Sequence, residues 1–176
     1  ERQTEVVIAS IHPPEDFSGL PVREGDRARY LPPEWAVRLV EAGAGLLFFD
    51  EISTAPPAVQ AALLRVVLER FVGQLKLPDA VSIVAAANPV DQAAGGWDLS
   101  HPLANRFLHI ETTADSSAFV QGMLSGFQQP EPVVLPRAWQ SHIPTERAKV
   151  ASFIKARPQL LLVVPSDAGK ASRGWP

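Results

Sequence analysis

Four large apolar residues, Leu46-Leu47-Phe48-Phe49, run directly into two carboxylates, Asp50 and Glu51. Continuous rather than alternating apolarity is typical of a strand that is covered on both faces, as in a parallel sheet. Carboxylates at the end of such a strand are costly to place unless they meet a cation or water. The segment therefore predicts a parallel strand whose carboxyl end carries a polar site.

Two other segments have the same strand character. Val6–Ser10 is β-branched and precedes a pair of prolines, and Ser82–Asn88 is an apolar run that ends at Pro89. Helical patterns lie between these strands. One is opened by Pro33 and Glu34 and ended by Gly43 and Gly45, and the other starts near Pro57. The alternation predicts an α/β fold with a parallel sheet and helices on both faces, in which ligands bind outside the carboxyl ends of the strands.

Shorter elements complete the expected first domain, residues 1–112. They are a loop or hairpin insertion at 18–30, a small hairpin at 71–77, a glycine-containing loop at 91–100, a short helix at 102–106 and a last strand at 107–111. Ser53 or Thr54 is expected to cap the helix that carries Pro56-Pro57 in its first turn. Residues 113–176 form the expected second domain, with a loose polar tail from Pro165. Its helices are expected at 115–127, capped by Asp115 or Ser116, and at 145–156, ended by Arg157-Pro158.

Composition excludes several classes of function. The 176 residues include 16 Lys and Arg against 19 Asp and Glu, a net charge of -3, which argues against a basic nucleic-acid-binding surface. Cysteine is absent, so the chain has no disulfide framework and no thiol nucleophile. No apolar run approaches the roughly 20 residues that span a bilayer. We expect a cytoplasmic protein without nucleic-acid or membrane partners.

The polar residues at the predicted strand ends suit phosphate chemistry. Asp50 can hold a hydrated Mg²⁺ while Glu51 polarises a water. Asn88 can donate to a phosphate oxygen, and the fork of Arg106 suits developing phosphoryl charge. Each residue also has an ordinary structural alternative: a helix-start acid pair, an Asx turn, and a solvated arginine at a helix end. The order and spacing of all four together are much rarer than any one of them.

At this point the sequence resembles AAA+ ATPases of the MoxR type. Their Walker B strand and its helix resemble LLFFDEISTAPPAVQAALLRVVLER, and their sensor 1 strand resembles IVAAANP. Their arginine-finger segment is similar to HPLANRF, and their second strand with its insertion is similar to VVIASIHPPEDFSGLPV. The resemblance extends well over residues 5–111 and only loosely beyond, where it implies a partial helical lid.

The resemblance implies a role for each site residue. Asp50 would hold Mg²⁺, Glu51 would be the catalytic base, and Asn88 would be sensor 1. Arg106 would act on ATP bound by a neighbouring subunit, which implies a ring, usually a hexamer. Family members act as chaperone-like remodelling proteins, and the client here is not readable from the sequence.

Two expected elements of this family are not found in the sequence. The P-loop pattern G-x-x-x-x-G-K-[ST] does not occur in the 176 residues, and a sensor 2 arginine is not recognisable. Because the only methionine is Met123 and the chain starts at Glu1, we expect a piece of a longer protein that cannot bind or hydrolyse ATP alone. In the family's strand order 5-1-4-3-2, the strand at 107–111 would then lack its only neighbour.

Two alternatives stay open. The chain could be a non-enzymatic protein-interaction module built on a degenerate AAA+ fold. It could also be an unrelated Mg²⁺-dependent phosphohydrolase that uses Asp50 and Glu51, although such an enzyme needs further acidic ligands at strand ends. A P-loop shortly upstream of Glu1 would favour the ATPase over the interaction module.

Overall fold

The computed structural model describes residues 2–88, 97–113, 115–127, 131 and 133–161. The chain divides into two compact units, which we call the sheet unit, described up to Leu108, and the helical unit, which starts at His109. In the ranges described, no helix is both long and apolar enough to cross a membrane.

The described residues of the sheet unit form seven strands and four helices. In chain order they are β1 (Gln3–Ile8), α1 (Glu15–Ser18), β2 (Leu20–Glu24), β3 (Arg27–Leu31), α2 (Glu34–Ala42), β4 (Gly45–Asp50), α3 (Pro57–Glu69), β5 (Phe71–Val72), β6 (Leu75–Lys76), β7 (Val81–Ala85) and α4 (His101–Ala104). The predicted hairpins are confirmed as the antiparallel pairs β2–β3 and β5–β6.

A three-stranded parallel sheet forms the centre of this unit. Its order is β1-β4-β7, and Phe48 of β4 lies between Val6 and Val84 of its neighbours. The predicted α/β class with a parallel sheet is confirmed. The predicted third strand is shorter than expected, because β7 ends at Ala85 and leaves Asn88 three residues beyond the strand.

Both long helices of the unit contribute to one hydrophobic core. Right-handed crossovers that advance in one direction across a sheet place their helices on the same face. Trp35 and Leu39 of α2 and Leu63 of α3 accordingly join a single core cluster with Leu47 and Phe49 of β4. Helices were expected on both faces, but in the described sheet unit the opposite face is much more exposed, as shown by Val6 at 62% and Val84 at 45%.

Helix α2 begins and ends at the predicted signals. Pro33 precedes it, Glu34 lies in its first turn, and Gly43 ends it in the left-handed conformation with φ 71°. Helix α3 differs from the prediction, since neither Ser53 nor Thr54 caps it. Residues 52–54 form a separate 3-10 turn, and Pro56 stands at the N-cap with no side-chain bond. Because Pro57 has no N–H, the first turn has fewer donors for a cap to satisfy.

The strand predicted at 107–111 does not form, whereas the expectation that this segment lacks a neighbour in the sheet is confirmed for the described residues. Residues 107–111 belong to no strand of the described sheet, and Leu108 is 87% exposed. An extended segment becomes a strand only when another backbone supplies ladder hydrogen bonds. Residues 89–96, which include most of the predicted loop at 91–100, lie outside the described residues.

The helical unit contains α5 (Ser116–Ser125) and α6 (Ile143–Ala156), with 3-10 turns at Trp139–His142 and Pro158–Leu160. Asp115 caps α5 as expected, because its carboxylate accepts from the N–H groups of Ser117 and Ala118. Helix α6 ends before Pro158, as predicted. The tail predicted from Pro165 lies outside the described residues, and the role of this unit as a lid stays a prediction.

Candidate functional site

The carboxyl ends of the three parallel strands meet at one edge of the sheet. Ser10 follows β1, Asp50 ends β4, and Asn88 follows β7. Backbone hydrogen bonds hold the chain together just beyond the strands: Ala9 N–H donates to Asp50 O at 2.9 Å, and Ala86 N–H donates to Phe49 O at 2.8 Å. The polar residues that follow the strands therefore start from one rigid framework.

Glu51 has an unusual backbone conformation at this edge. Its φ of 52° and ψ of 38° lie in the left-handed region, which residues other than glycine seldom occupy. Its N–H donates to Asp50 Oδ1 at 2.9 Å, which ties the half-buried aspartate to the turn. Strained backbone of this kind concentrates at functional sites, where surrounding contacts maintain it.

Ser10 contacts the Glu51 carboxylate directly. Its hydroxyl donates to Glu51 Oε2 at 2.6 Å, a charge-assisted bond that restricts the carboxylate to one orientation. Ser10 is not among the site residues predicted from the sequence. The signal that points to it is its position at the end of the predicted strand Val6–Ser10, which precedes in the chain the strand that ends in Asp50.

Asn88 is exposed, and its backbone is bound to the turn that follows Glu51. The hydroxyl of the buried Ser53 lies 3.4 Å from the Asn88 carbonyl oxygen and donates to it. A second bond joins the same two loops, because Ile52 N–H donates to Ala86 O at 3.1 Å. The loop after β7 is thus attached to the loop after β4, and Asp50, Glu51 and Asn88 are brought to one edge.

Arg106 makes no described contact with this group. It lies two residues after the end of α4, its N–H donates to Leu103 O at 3.1 Å, and its side chain is exposed. In the described part of the chain, no hydrogen bond or ion pair joins Arg106 to Asp50 or Glu51. Of the four predicted site residues, the structure gathers three and leaves the guanidinium on the surface.

The acidic pair suits a hydrated magnesium ion better than a metal held by protein ligands alone. Within the described ranges, no cluster of three or more His, Cys, Asp or Glu side chains could hold a metal. Mg²⁺ commonly takes one or two carboxylates and completes its shell with water and phosphate oxygens. Asp50, half-buried at a strand end beside Glu51, fits that donor set.

Comparison with known proteins identifies the family. Residues 7–109, more than half of the chain, match the ATPase family associated with various cellular activities, AAA. The chain belongs to this family. The part of this chain that matches the AAA ATPase family includes Asp50, Glu51, Asn88 and Arg106.

A solved structure is also similar to this chain. The chain is similar to the crystal structure of "a putative ATPase" from Cytophaga hutchinsonii, with 21% identity and a TM-score of 0.44. The similarity covers 71% of this AAA-family chain and 39% of the Cytophaga chain, so this chain spans well under half of that protein. A comparison with curated proteins gives no match.

Proposed function

We propose that this chain carries the Walker B, sensor 1 and arginine-finger part of a MoxR-type AAA+ ATPase, whose intact form hydrolyses ATP to remodel a client protein. The observation that carries the proposal is the acidic strand end. Glu51 is held in left-handed backbone conformation, bonded to Asp50 through its N–H and to Ser10 through its carboxylate. A carboxylate fixed in this way can orient a water for attack on a phosphoryl group.

Each residue has a distinct part in this scheme. Asp50 would hold Mg²⁺, which supplies positive charge to the phosphate oxygens when bound. Glu51 would orient the attacking water and accept its proton. Asn88 would donate its amide to a phosphate oxygen on the other side of that water. The loops after β4 and β7 keep these three residues in fixed relation through the Ser53–Asn88 and Ile52–Ala86 bonds.

Arg106 would serve a neighbouring copy of the protein. Its exposed side chain lacks a described contact with the acidic pair of its own chain, which is the placement that action on a neighbour's ATP requires. We propose a ring, with a hexamer as the expected size. The client and the cytoplasmic location remain predictions.

Phosphate binding needs a part that these residues do not supply. In P-loop NTPases the glycine-rich loop and its lysine cradle the phosphates, and this pattern is absent from the 176 residues. We therefore propose that the chain alone neither binds nor hydrolyses ATP. Calorimetry with ATP and Mg²⁺ compares this chain with the same chain extended upstream in its natural protein. We expect no binding by the first and micromolar binding by the second, and tight binding by the chain alone would overturn the proposal.

Two substitutions in the extended chain test the assigned roles. Glu51→Gln should reduce kcat by about 100-fold or more while ATP still binds, because the amide cannot accept the proton of the water. Arg106→Ala should reduce kcat by a similar factor. Glu41→Gln and Lys76→Ala change the same charges at exposed positions of the same unit and should leave turnover unchanged. Normal turnover by Glu51→Gln would contradict the proposed catalytic role.

An interaction module without enzymatic activity is the second candidate. The observation that favours it is the exposed apolar face of the parallel sheet, with Val6 and Val84 on the two strands that flank β4. If the upstream-extended chain also fails to bind ATP, this second function replaces the first.

A further inference from the structure

Gln60 is a buried polar side chain with no part in the function proposed above. It lies in α3 and is 2% exposed. An amide in such a place is costly unless its donors and acceptor are bonded. The groups that satisfy it therefore show what the side chain holds together.

The Gln60 amide joins two separate segments of backbone. Its Nε2 donates to Ala55 O at 3.0 Å, just before α3, and to Asp98 O at 3.4 Å. Its Oε1 accepts from Ser100 N–H at 2.7 Å. One side chain thus connects the start of α3 with the segment that leads into α4, about 40 residues further along the chain.

The bonded segment continues without interruption to Arg106. Ser100 is the N-cap residue of α4, and its carbonyl accepts from Leu103 N–H at 3.0 Å and Ala104 N–H at 2.9 Å. Leu103 is fully buried, and α4 packs against α3. Arg106 N–H then donates to Leu103 O. The backbone that presents the guanidinium is therefore fixed by the same contacts that begin at Gln60.

We propose that Gln60 is a positioning residue for Arg106. Its amide fixes the position at which α4 begins. It thereby fixes the point on the surface from which the Arg106 side chain extends. This inference rests on the proposed function, in which the guanidinium must reach a phosphate on a neighbouring copy. Displacement of a catalytic group by about 1 Å can cost up to about 100-fold in rate. Because the long arginine side chain can compensate in part for a shifted backbone, we expect kcat to fall only about tenfold.

Gln60→Met is the direct test, because it keeps the length and helix propensity of the side chain and removes the amide. Trp97 N–H still donates to Ser53 O at 3.0 Å, so a second attachment of the same segment remains. In the ATP-hydrolysing extended chain, kcat should fall about tenfold and KM for ATP should change less than about twofold. Gln74→Met, the same change at an exposed position, should alter neither.

Mixed oligomers separate positioning from general damage. A Gln60→Met copy has intact Asp50 and Glu51 and needs only a well-placed arginine from its neighbour. Glu51→Gln copies are inactive but supply that arginine, so mixing the two should raise the activity per Gln60→Met copy severalfold. A defect confined to the copy's own fold would not respond to its neighbours. No gain on mixing would overturn the inference, provided that the reference mixture below does gain.

The reference mixture combines Arg106→Ala with Glu51→Gln and must also gain activity. If it does not, the proposed action of Arg106 on a neighbour is wrong, whatever Gln60 does. Ser100→Pro provides a second variant if Gln60→Met fails to fold. Ser100 has φ -56° and no side-chain cap bond, so proline fits its backbone and removes the N–H that donates to Gln60 Oε1. The same tenfold loss and the same gain on mixing are expected, and normal turnover by Ser100→Pro would contradict the inference.

Discussion

Leu47 of the sheet unit has no exposed surface, whereas Leu124 of the helical unit is 84% exposed. The contrast extends to the other large apolar residues. In the sheet unit a single buried cluster includes Phe17, Phe49 and Leu63. Among the described residues of the helical unit, Phe119, Met123 and others remain largely exposed, and only Gly122 is buried. Regular helices are present in both units, but among the described residues only the sheet unit has a packed core.

This difference separates two sources of helical structure. Helix α2 is held by Trp35 and Leu39 in the core. The start of helix α5 is defined by a local signal, because the carboxylate of Asp115 accepts hydrogen bonds from N–H groups in the first turn. Capping and propensity define where a helix starts, but in proteins most helical stability comes from packing of an apolar face. The two units should therefore respond differently to matched substitutions.

The largest expected difference is between two leucine truncations. Leu47→Ala should lower the free energy of unfolding by about 3–5 kcal/mol, because it opens a cavity in a packed core. Leu124→Ala removes the same atoms from an exposed site and should change it by less than about 0.5 kcal/mol. Urea denaturation followed by circular dichroism measures both. An equal cost for Leu124→Ala would mean that the helical unit packs its apolar surface in solution.

Glycine substitutions sharpen the comparison at smaller magnitude. A Cβ at Gly45 would lie 2.5 Å from Gln3 O and 2.8 Å from Leu39 Cδ2, and the backbone oxygen cannot move without disturbing β1. Gly45→Ala should lower the free energy of unfolding by about 1–3 kcal/mol. At Gly122 the added Cβ would meet only the ring of Phe127, an exposed side chain that can turn away. Because alanine favours helix by about 1 kcal/mol, Gly122→Ala should be neutral or stabilising in the same assay.

Local signals in the sequence predicted much of the fold. The apolar run before Asp50 became β4, the Pro33–Gly43 bounds became α2, and Asp115 became the cap of α5. Each of these depends on residues within a few positions of each other. The strand expected at 107–111 does not form, because a strand needs a neighbouring strand to pair with and the described sheet has none next to this segment.

The candidate site was predictable only in part for the same reason. Asp50 and Glu51 adjoin a strongly apolar strand, so their position at a sheet edge followed from local pattern. The bond from Ser10 to Glu51 joins residues 41 positions apart and depends on the pairing of β1 with β4. The bonds of Gln60 depend in the same way on how α3 meets the segment before α4. Sequence pattern alone does not reveal such contacts until strand neighbours are known.

An ion pair in each unit gives the third comparison, which depends on pH. Both carboxylate oxygens of the buried Glu5 accept from Arg38 at 2.8 Å, and these bonds hold the pKa of Glu5 below its ordinary value despite the opposing effect of burial. The folded-state pKa is thus lower than the unfolded one. The pair therefore stabilises the fold above the unfolded-state pKa near 4.5 and loses that effect as pH falls through the folded-state pKa.

Glu5→Gln tests this prediction. It should lower the free energy of unfolding by about 1–2 kcal/mol at pH 7. The difference in this free energy from the natural chain should shrink as pH falls below 4.5. Glu146→Gln removes the exposed pair with Lys149 and should cost at most about 0.5 kcal/mol. Urea denaturation at several pH values measures both. A cost for Glu5→Gln that is constant with pH would show that the pair is not the source of the effect.

The smallest effect on global unfolding should come from Asp115→Ala. The substitution removes an acceptor for two N–H groups at the start of α5, worth about 1 kcal/mol to the helix itself. Because the described apolar face of α5 is largely exposed, that loss should appear as faster amide exchange within Ser116–Ser125 and leave the urea midpoint of the sheet unit unchanged. Asp115→Asn, which keeps a capping oxygen, should restore slow exchange. A shifted midpoint would instead show that α5 is coupled to the buried core, and the contrast between the two units would fail.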